Sequence, residues 1–484
     1  MALAAVDTRP LTRRSALELA HAIREREVSA REVVERHIEL LRCTKLNAVV
    51  VERYREALAE ADAVDERIAA AEPDPPPLLG VPCTIKEAFA VAGLPNTGGL
   101  ASRRGRVAER TAPAAQRLLD SGAILLGLTN LSELTMWIES DNRVYGRTLN
   151  PYNERRTAGG SSGGEAAAIG SGGSPIGIGT DFAGSIRLPA FFSGVFGHKT
   201  SRGVVPMTGH FPISEGEAIA MSVVGPIARR AEDLMPVLRL IAGPDGEDAR
   251  VTGEVELGDP GEVEISRLDV VISEGASYLP TSRELREARE RAAGALAAAG
   301  ARLRRENLRS VRRAAELFLA AVQEGAGLSL AELIVAEGGE PVTWRTLFRR
   351  DNPHTLATLL TLAAERAGKL VPRRRIRKAR AAAASLEREI ETVIGGGLML
   401  HPPHPRVAPR HGRTVGRPWL LAPTALFNLL GMPATQVPLG LGRKGLPVGV
   451  QVAAARGSDH LTIAAAIELE RALGGWVPPP SARA

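Results

Sequence analysis

Between Gly159 and Pro189 the chain reads GGSSGGEAAAIGSGGSPIGIGTDFAGSIRLP. This stretch restricts the possible fold more than any other. Three serines, Ser161, Ser162 and Ser185, each have a glycine as chain neighbour. Glycine lets a backbone turn sharply and approach a ligand closely. A serine among glycines presents its hydroxyl unobstructed, and the free N–H groups of such a loop suit an anion or a developing oxyanion. A flexible Gly/Ser linker has the same residues but lacks what stands among them here. Linkers do not carry an apolar, helix-like run such as Glu165–Ile169, nor a fixed Asp181, Arg187 and Pro189, in the middle of a globular chain.

Strand and helix patterns alternate on either side of the stretch. Helical spacing recurs through residues 11–70, with Ser29 as an N-cap and Glu32 as its capping-box partner. The prolines at 73 and 75–77 close that segment. Leu78–Lys86 reads as a buried strand ending in lysine, Ala112–Ser121 as a helix, Ala123–Leu128 as a strand, and Asn130–Trp137 as the start of another helix. Further on, Leu268–Ile272 reads as a strand, Arg283–Ala299 as a helix, and residues 310–395 as mostly helical. Strand Val448–Val452 and helix Leu461–Leu473 close the pattern. This order predicts an α/β fold. The expected organisation is an N-terminal helical arm over 1–72 and one large domain over 73–484, containing the helical region at 310–395.

Of the 484 residues, 44% are apolar and 24% charged, which is ordinary for a soluble protein. The net charge of +6 is spread along the chain, so nucleic acid is not an expected partner. Two cysteines, Cys43 and Cys83, imply a reduced compartment without a disulfide framework. No signal peptide or long uncharged apolar run is present, and the expectation is a cytoplasmic protein.

Several site chemistries fit parts of the sequence. A lysine at the end of an apolar strand becomes a general base when burial lowers its pKa. On its own, Lys86 reads rather as an outward residue paired with Glu87. Gly160-x-Ser162-x-Gly164 has the spacing of a nucleophile elbow, but Asn150–Thr157 before it is polar and loop-like, where that motif needs a strand. Gly177-x-Gly179 starts like a dinucleotide fingerprint, yet Phe182 occupies the third glycine position. His401-Pro402-Pro403-His404 reads as a loop rather than a metal pair, and no metal or cofactor is expected. A Ser–Lys arrangement remains.

PCTIKE around Lys86, GGSSGGE at 159–165 and GTDFAGSIRLPA at 179–190 together resemble the amidase signature family of serine hydrolases. The resemblance covers about 78–230 and 398–477 and is strongest to the fatty-acid amide hydrolase branch, type 2 in particular. It implies a large twisted mixed sheet covered by helices on both faces. It implies Ser185 as nucleophile, Ser161 as a bridging serine behind a cis peptide bond, and Lys86 as base. Backbone N–H groups of Phe182, Ala183, Gly184 and Ser185 would hold the oxyanion. Ser162, Asp181 and Arg187 match positions beside the triad, and Thr135 matches a substrate-channel position. The family commonly has Gly-Gly before the nucleophile, and Ala183-Gly184 departs from that. Alanine is harmless there if φ at 183 is negative and costly if it is positive.

The implied substrate is a carboxylic amide with a sizeable apolar acyl or amine part. Trp344, Phe348, Leu356, Leu359 and Leu360 suit such a part. With the basic run Arg373, Arg374, Arg375, Arg377, Lys378 and Arg380 they also admit a peripheral membrane contact, although ordinary core and a solvated face explain them better. A homodimer is compatible with the resemblance. Two other functions use the same signature: an amidotransferase subunit releasing ammonia from glutamine for a partner enzyme, and a binding protein without catalysis.

Overall fold

The computed structural model describes residues 9–212, 220–274, 279–325, 328–343, 345–346, 349, 351–368 and 371–480. At the N-terminus, α1 (Ala16–Arg24) starts with a capping box between Ser15 and Glu18. Helix α2 (Ala30–Cys43) is capped by Ser29, whose hydroxyl accepts the Glu32 N–H at 3.0 Å. Strand β1 (Val49–Glu52) and α3 (Tyr54–Ala69) follow. Then come β2 (Pro82–Lys86), α4 (Pro113–Asp120) and β3 (Ile124–Thr129). Two small hairpins pair β4 (Asp141–Asn142) with β5 (Gly146–Arg147) and β6 (Leu149–Asn150) with β7 (Asn153–Thr157). The glycine-rich stretch becomes α5 (Gly163–Gly170), β8 (Ile176–Asp181) and α6 (Arg187–Phe192). Strands β9 (Phe196–Lys199) and β10 (Val223–Ala228), helix α7 (Leu234–Ile241), β11 (Asp269–Glu274), α8 (Arg283–Ala298) and β12 (Arg302–Asn307) come next. The helical region holds α9 (Ala314–Gly325), α10 (Leu330–Ala336), α11 (Leu356–Gly368) and α12 (Arg373–Ile394). The chain closes with β13 (Leu398–His401), α13 (Ala422–Leu429), β14 (Ala434–Leu441), β15 (Pro447–Ala454) and α14 (Asp459–Leu473).

Eleven strands form one mixed sheet in the order β1-β3-β2-β8-β10-β9-β14-β15-β13-β11-β12. Strands β3, β2 and β8 run parallel, so their C-terminal ends share one edge of the sheet. Successive residues of a strand face opposite sides. Val270 and Ile272 join the main hydrophobic core, whereas Val271 between them joins a second core with Leu386, Ile390, Leu426 and Phe427. Met399 divides from Leu398 and Leu400 in the same way. Both faces of the sheet are therefore packed, as the α/β reading requires. No helix among the described residues is long and apolar enough to cross a membrane.

Three local expectations are corrected. Asn130–Trp137 does not start a helix. Only Glu133–Thr135 forms a short 3-10 turn, with Leu134 and Thr135 at left-handed φ of 54° and 57°. Its polar groups go to distant partners instead: Leu134 N–H to the Gly98 carbonyl at 2.8 Å, and the Asn130 carbonyl to Gly164 N–H at 3.0 Å. The polar run before Ser161 contains a strand, β7, but that strand lies in a two-stranded hairpin outside the main sheet. Strands β1 and β14 are not visible in the sequence. The first is four residues long, and the second contains Pro438 and Gly440, residues that ordinarily argue against a strand. Trp344 and Phe348 lie outside the described residues. In α11, Leu359 is buried while Leu356 and Leu360 are exposed.

Candidate active site

Parallel pairing explains how the lysine meets the glycine-rich stretch. Ile85 of β2 sits in register with Ile178 of β8, which brings Lys86 beside the end of β8. Lys86 is completely buried. Its Nζ lies 2.7 Å from Ser161 Oγ and 2.7 Å from Thr180 Oγ1. Burial is the main influence on the amine and lowers its pKa to about 7, against the opposing pull of Asp181, Glu165 and Glu87. The outward pairing with Glu87 is thus corrected. Glu87 instead accepts from Thr97 N–H and Oγ1, Gly98 N–H and the Tyr145 hydroxyl.

Ser161 stands just before α5, behind a cis Gly160–Ser161 peptide bond. Gly160 is required by space: a Cβ there would lie 2.6 Å from the Trp137 carbonyl oxygen and 2.7 Å from Glu139 N. The Ser161 carbonyl accepts from Ser140 Oγ at 3.1 Å and Ser132 N–H at 3.3 Å. Ser162 follows at the start of α5, and its N–H donates to the Ser185 carbonyl at 3.2 Å. This bond ties the two ends of the stretch together. Ser185 keeps 8% of its surface exposed, where Ser161 keeps 1%.

The loop from Phe182 to Ile186 is shaped by Asp181. Its carboxylate accepts the N–H groups of Gly184 (2.7 Å), Ile186 (3.1 Å) and Arg187 (3.3 Å). It also receives Arg187 Nε and Nη2 at 3.1 and 3.0 Å and Asn428 Nδ2 at 2.9 Å. Burial alone would raise the Asp181 pKa. The Arg187 charge and these bonds outweigh it and bring the carboxyl down to about 2. Arg187, also fully buried, spends its remaining N–H groups on the Thr424 carbonyl, Asn428 Oδ1 and Gln451 Oε1. The Gly184 N–H is therefore already committed to Asp181, which corrects its expected place among the oxyanion donors. Among the described residues the N–H groups of Phe182, Ala183 and Ser185 have no such acceptor.

Ala183 is not among the residues with positive φ; Gly184 is, at 122°. The departure from Gly-Gly is therefore harmless. The Ala183 methyl packs with Met221, Phe318 and Ala425, and its carbonyl accepts from Thr424 Oγ1 at 2.6 Å. Beside this cluster lies a cavity of about 280 Å³, lined by Met221, Leu317, Ala320, Ala321, Leu429 and Leu430, with Arg202, Arg380 and Glu387 also on its wall. Thr135 N–H donates to the Ser132 carbonyl at 2.9 Å, and Ser132 N–H donates in turn to the Ser161 carbonyl; the turn is held by the Glu133 carboxylate, which binds His354, Thr355 N–H and Thr358 at the α11 start.

Sequence reading missed Thr180, His210, Thr424, Asn428 and Gln451. Thr424 and Asn428 left one signal, a polar pair four apart on an otherwise apolar helix. In Gly160-x-Ser162-x-Gly164 the Ser162 hydroxyl bonds the Thr180 backbone at 3.4 Å, and among the described residues no histidine bonds it. His401 bonds Ser273 and His404 bonds the Arg406 carbonyl, and no metal-binding cluster is found among the described residues.

Comparison with known proteins adds independent information. A family model described as Amidase matches residues 32–463. Fatty-acid amide hydrolase 2-B of Danio rerio is 40% identical over 98% of this chain and 92% of its own length. Fatty-acid amide hydrolase 2 of Homo sapiens is 37% identical over 98% and 91%. The solved structure of 6-aminohexanoate cyclic dimer hydrolase complexed with substrate superposes with a TM-score of 0.82 at 25% identity, covering 98% of this chain and 100% of that one.

Proposed function

This chain belongs to the amidase signature family and is an amide-hydrolysing enzyme, and from that premise we propose that it cleaves amides with an apolar acyl part through Ser185, Ser161 and Lys86 by way of an acyl-enzyme. The observation that carries the reading is the 2.7 Å contact between Lys86 Nζ and Ser161 Oγ in a fully buried setting.

The chemistry follows from that contact. A buried amine with a pKa near 7 is largely neutral at slightly alkaline pH and has a lone pair to offer. Lys86 takes the Ser161 hydroxyl proton as Ser161 takes the one on Ser185. The Ser185 oxygen then forms a bond to the amide carbon. The carbonyl oxygen gains negative charge, which the N–H groups of Phe182, Ala183 and Ser185 are available to receive. The proton returns through Ser161 to the amide nitrogen, the C–N bond breaks, and the amine leaves neutral. Water then attacks the Ser185 ester and passes its proton through Ser161 to Lys86; the acyl C–O bond breaks, the proton returns through Ser161 to the Ser185 oxygen, and the acid departs.

The cavity next to the Ala183 cluster has an apolar part, from Met221, Leu317, Ala320, Ala321 and Leu429, beside the charged Arg202, Arg380 and Glu387, and that part supports an acyl chain or apolar ring on the substrate. The full-length likeness to fatty-acid amide hydrolases 2 points the same way.

A fluorophosphonate probe tests the assignment, because it phosphonylates an activated serine without needing the true substrate. Wild type is expected to label, Ser185→Ala not at all, and Lys86→Ala about 10³-fold more slowly, within the range a general base contributes. Labelling that survives Ser185→Ala overturns the reading. Hydrolysis of long-chain N-acyl amides in preference to acetamide tests the substrate class.

A further inference from the structure

A second chain of hydrogen bonds starts from Lys86 at Thr180. Thr180 Oγ1 lies 2.7 Å from Lys86 Nζ and 3.2 Å from His210 Nε2. His210 Nδ1 lies 3.0 Å from the Pro212 carbonyl oxygen. Thr180 is 5% exposed and His210 4%, and the His210 ring packs edge-on against Phe89 at 5.4 Å.

The direction of every bond in this chain follows from its far end. A carbonyl oxygen only accepts, so Nδ1 carries the ring proton. Burial and the nearby Lys86 keep the ring neutral, with its pKa lowered to about 3. A neutral ring with a proton on Nδ1 has a lone pair on Nε2. Thr180 must then donate its hydroxyl proton to His210. Its oxygen is left facing Lys86 as an acceptor, and Lys86 must give it an N–H. In a neutral amine that choice keeps the lone pair off Thr180 and leaves it available to the Ser161 hydroxyl.

We propose that His210, acting through Thr180, is a positioning residue that aims the Lys86 lone pair at Ser161. The assignment rests on Lys86 being the base of the reaction. It explains a problem that proximity alone leaves open. A neutral lysine beside two hydroxyls can accept from either one, and accepting from Thr180 would be unproductive. The Pro212 carbonyl, three bonds away, settles the choice before substrate arrives, which is preorganisation rather than direct chemistry.

Two measurements test this. The first is the fluorophosphonate labelling rate of the full chain. His210→Leu leaves Thr180 free to donate to Lys86, so labelling should slow by roughly tenfold or more. His210→Gln offers an oxygen to Thr180 and an N–H to Pro212, and should recover to within about threefold of wild type. Equal loss in both variants, with thermal unfolding unchanged, overturns the proposal, as does a wild-type rate in His210→Leu. The second measurement does not depend on catalysis. In protein labelled with 15N-histidine, the His210 resonances are assigned by their loss in His210→Gln. A proton on Nδ1 and none on Nε2 near neutral pH is expected. A proton on Nε2 overturns the proposal even if labelling survives Ser185→Ala and the reading of the nucleophile falls.

Discussion

Replacing Lys86 with methionine should abolish activity and, at neutral pH, remove a source of instability. The amine is fully buried, and its pKa falls from 10.5 to about 7. A depressed lysine pKa means that the unfolded chain binds a proton which the folded chain has given up. Between pH 7 and pH 10.5 the unfolded state is favoured by that proton, so stability rises with pH across the window. Below pH 7 the penalty is complete, and it amounts to roughly 5 kcal/mol, at about 1.4 kcal/mol for each pH unit that separates the folded and unfolded pKa values. Methionine has a similar length and no charge, so it escapes the penalty. It also leaves the Ser161 and Thr180 hydroxyls each short of a partner, at about 1–3 kcal/mol apiece. The difference at a single pH mixes these effects, but their pH dependence separates them, because lost hydrogen bonds do not titrate there. Urea unfolding followed by circular dichroism at several pH values between about 7.5 and 10 gives the test. The stability of wild type relative to Lys86→Met should improve by about 1.4 kcal/mol per pH unit. Lys199, whose pKa is likewise lowered to about 7 by burial, is present in both proteins and cancels. A flat difference would mean that Lys86 ionises as it does in water, and the base assignment would fall with it. The same titration sets an acid limb near pH 7 in kcat/KM, falling about tenfold per unit below it.

Gly184→Ala places a methyl 2.7 Å from Thr424 Cβ at a φ of 122°, so the clamp on the Ala183 carbonyl must move. Labelling of Ser185 should fall about 10²-fold, as for loss of one oxyanion donor, with a small change in Tm. Asp181→Asn leaves the Arg187 charge buried without its partner and should cost about 3–5 kcal/mol in urea unfolding. In wild type that contribution persists above the ordinary aspartate range and is lost only as pH falls toward 2. Ala321→Phe fills part of the 280 Å³ cavity, so KM should rise for long-chain N-acyl amides and stay level for short ones. An equal change for both lengths would place the acyl group elsewhere.

The sequence is informative where chemistry sits in contiguous motifs. Ser161, Ser185, Asp181 and Arg187 lie in one glycine-rich run and Lys86 ends an apolar strand, but the family resemblance is what joined them, since Lys86 read alone is an outward residue. The α/β class is readable because helical and strand periods alternate over long segments. The failures share one cause, which is that tertiary bonds overrode local preference. Glu133 is drawn to His354, 221 residues away, so a run with helical composition becomes a left-handed turn. Pro438 lies in a strand because it pairs with Gly449 of β15 at the last position before the register breaks, past Gln436, where the pairing with β9 ends. Thr180 and His210 carry no local mark at all. Their meaning depends on the register between β2 and β8 and on where the chain runs after β9. Neither Asn428 nor Gln451 could be matched to Arg187 without knowing that α13 and β15 pack around the same loop.

Among the described residues two lysines, Lys86 and Lys199, are fully buried, and burial lowers both to about 7. Perturbed ionisation therefore does not distinguish the base from a structural cation. The partners do. Lys199 Nζ donates to the Thr200 carbonyl at 3.0 Å and the Met432 carbonyl at 2.7 Å. Carbonyls have no proton to give, so a neutral Lys199 has nothing to accept from them, and its position holds two loops together. Both partners of Lys86 are hydroxyls, which donate and accept with equal ease. In the proposed arrangement His210 commits one of them, Thr180, to the accepting role, and the other, Ser161, is the one left to give its proton. A buried amine becomes a base only where its neighbours can surrender a proton and one of them is prevented from doing so. Of the two lysines, Lys86 alone meets both conditions, through a hydroxyl pair whose asymmetry is set from the Pro212 carbonyl.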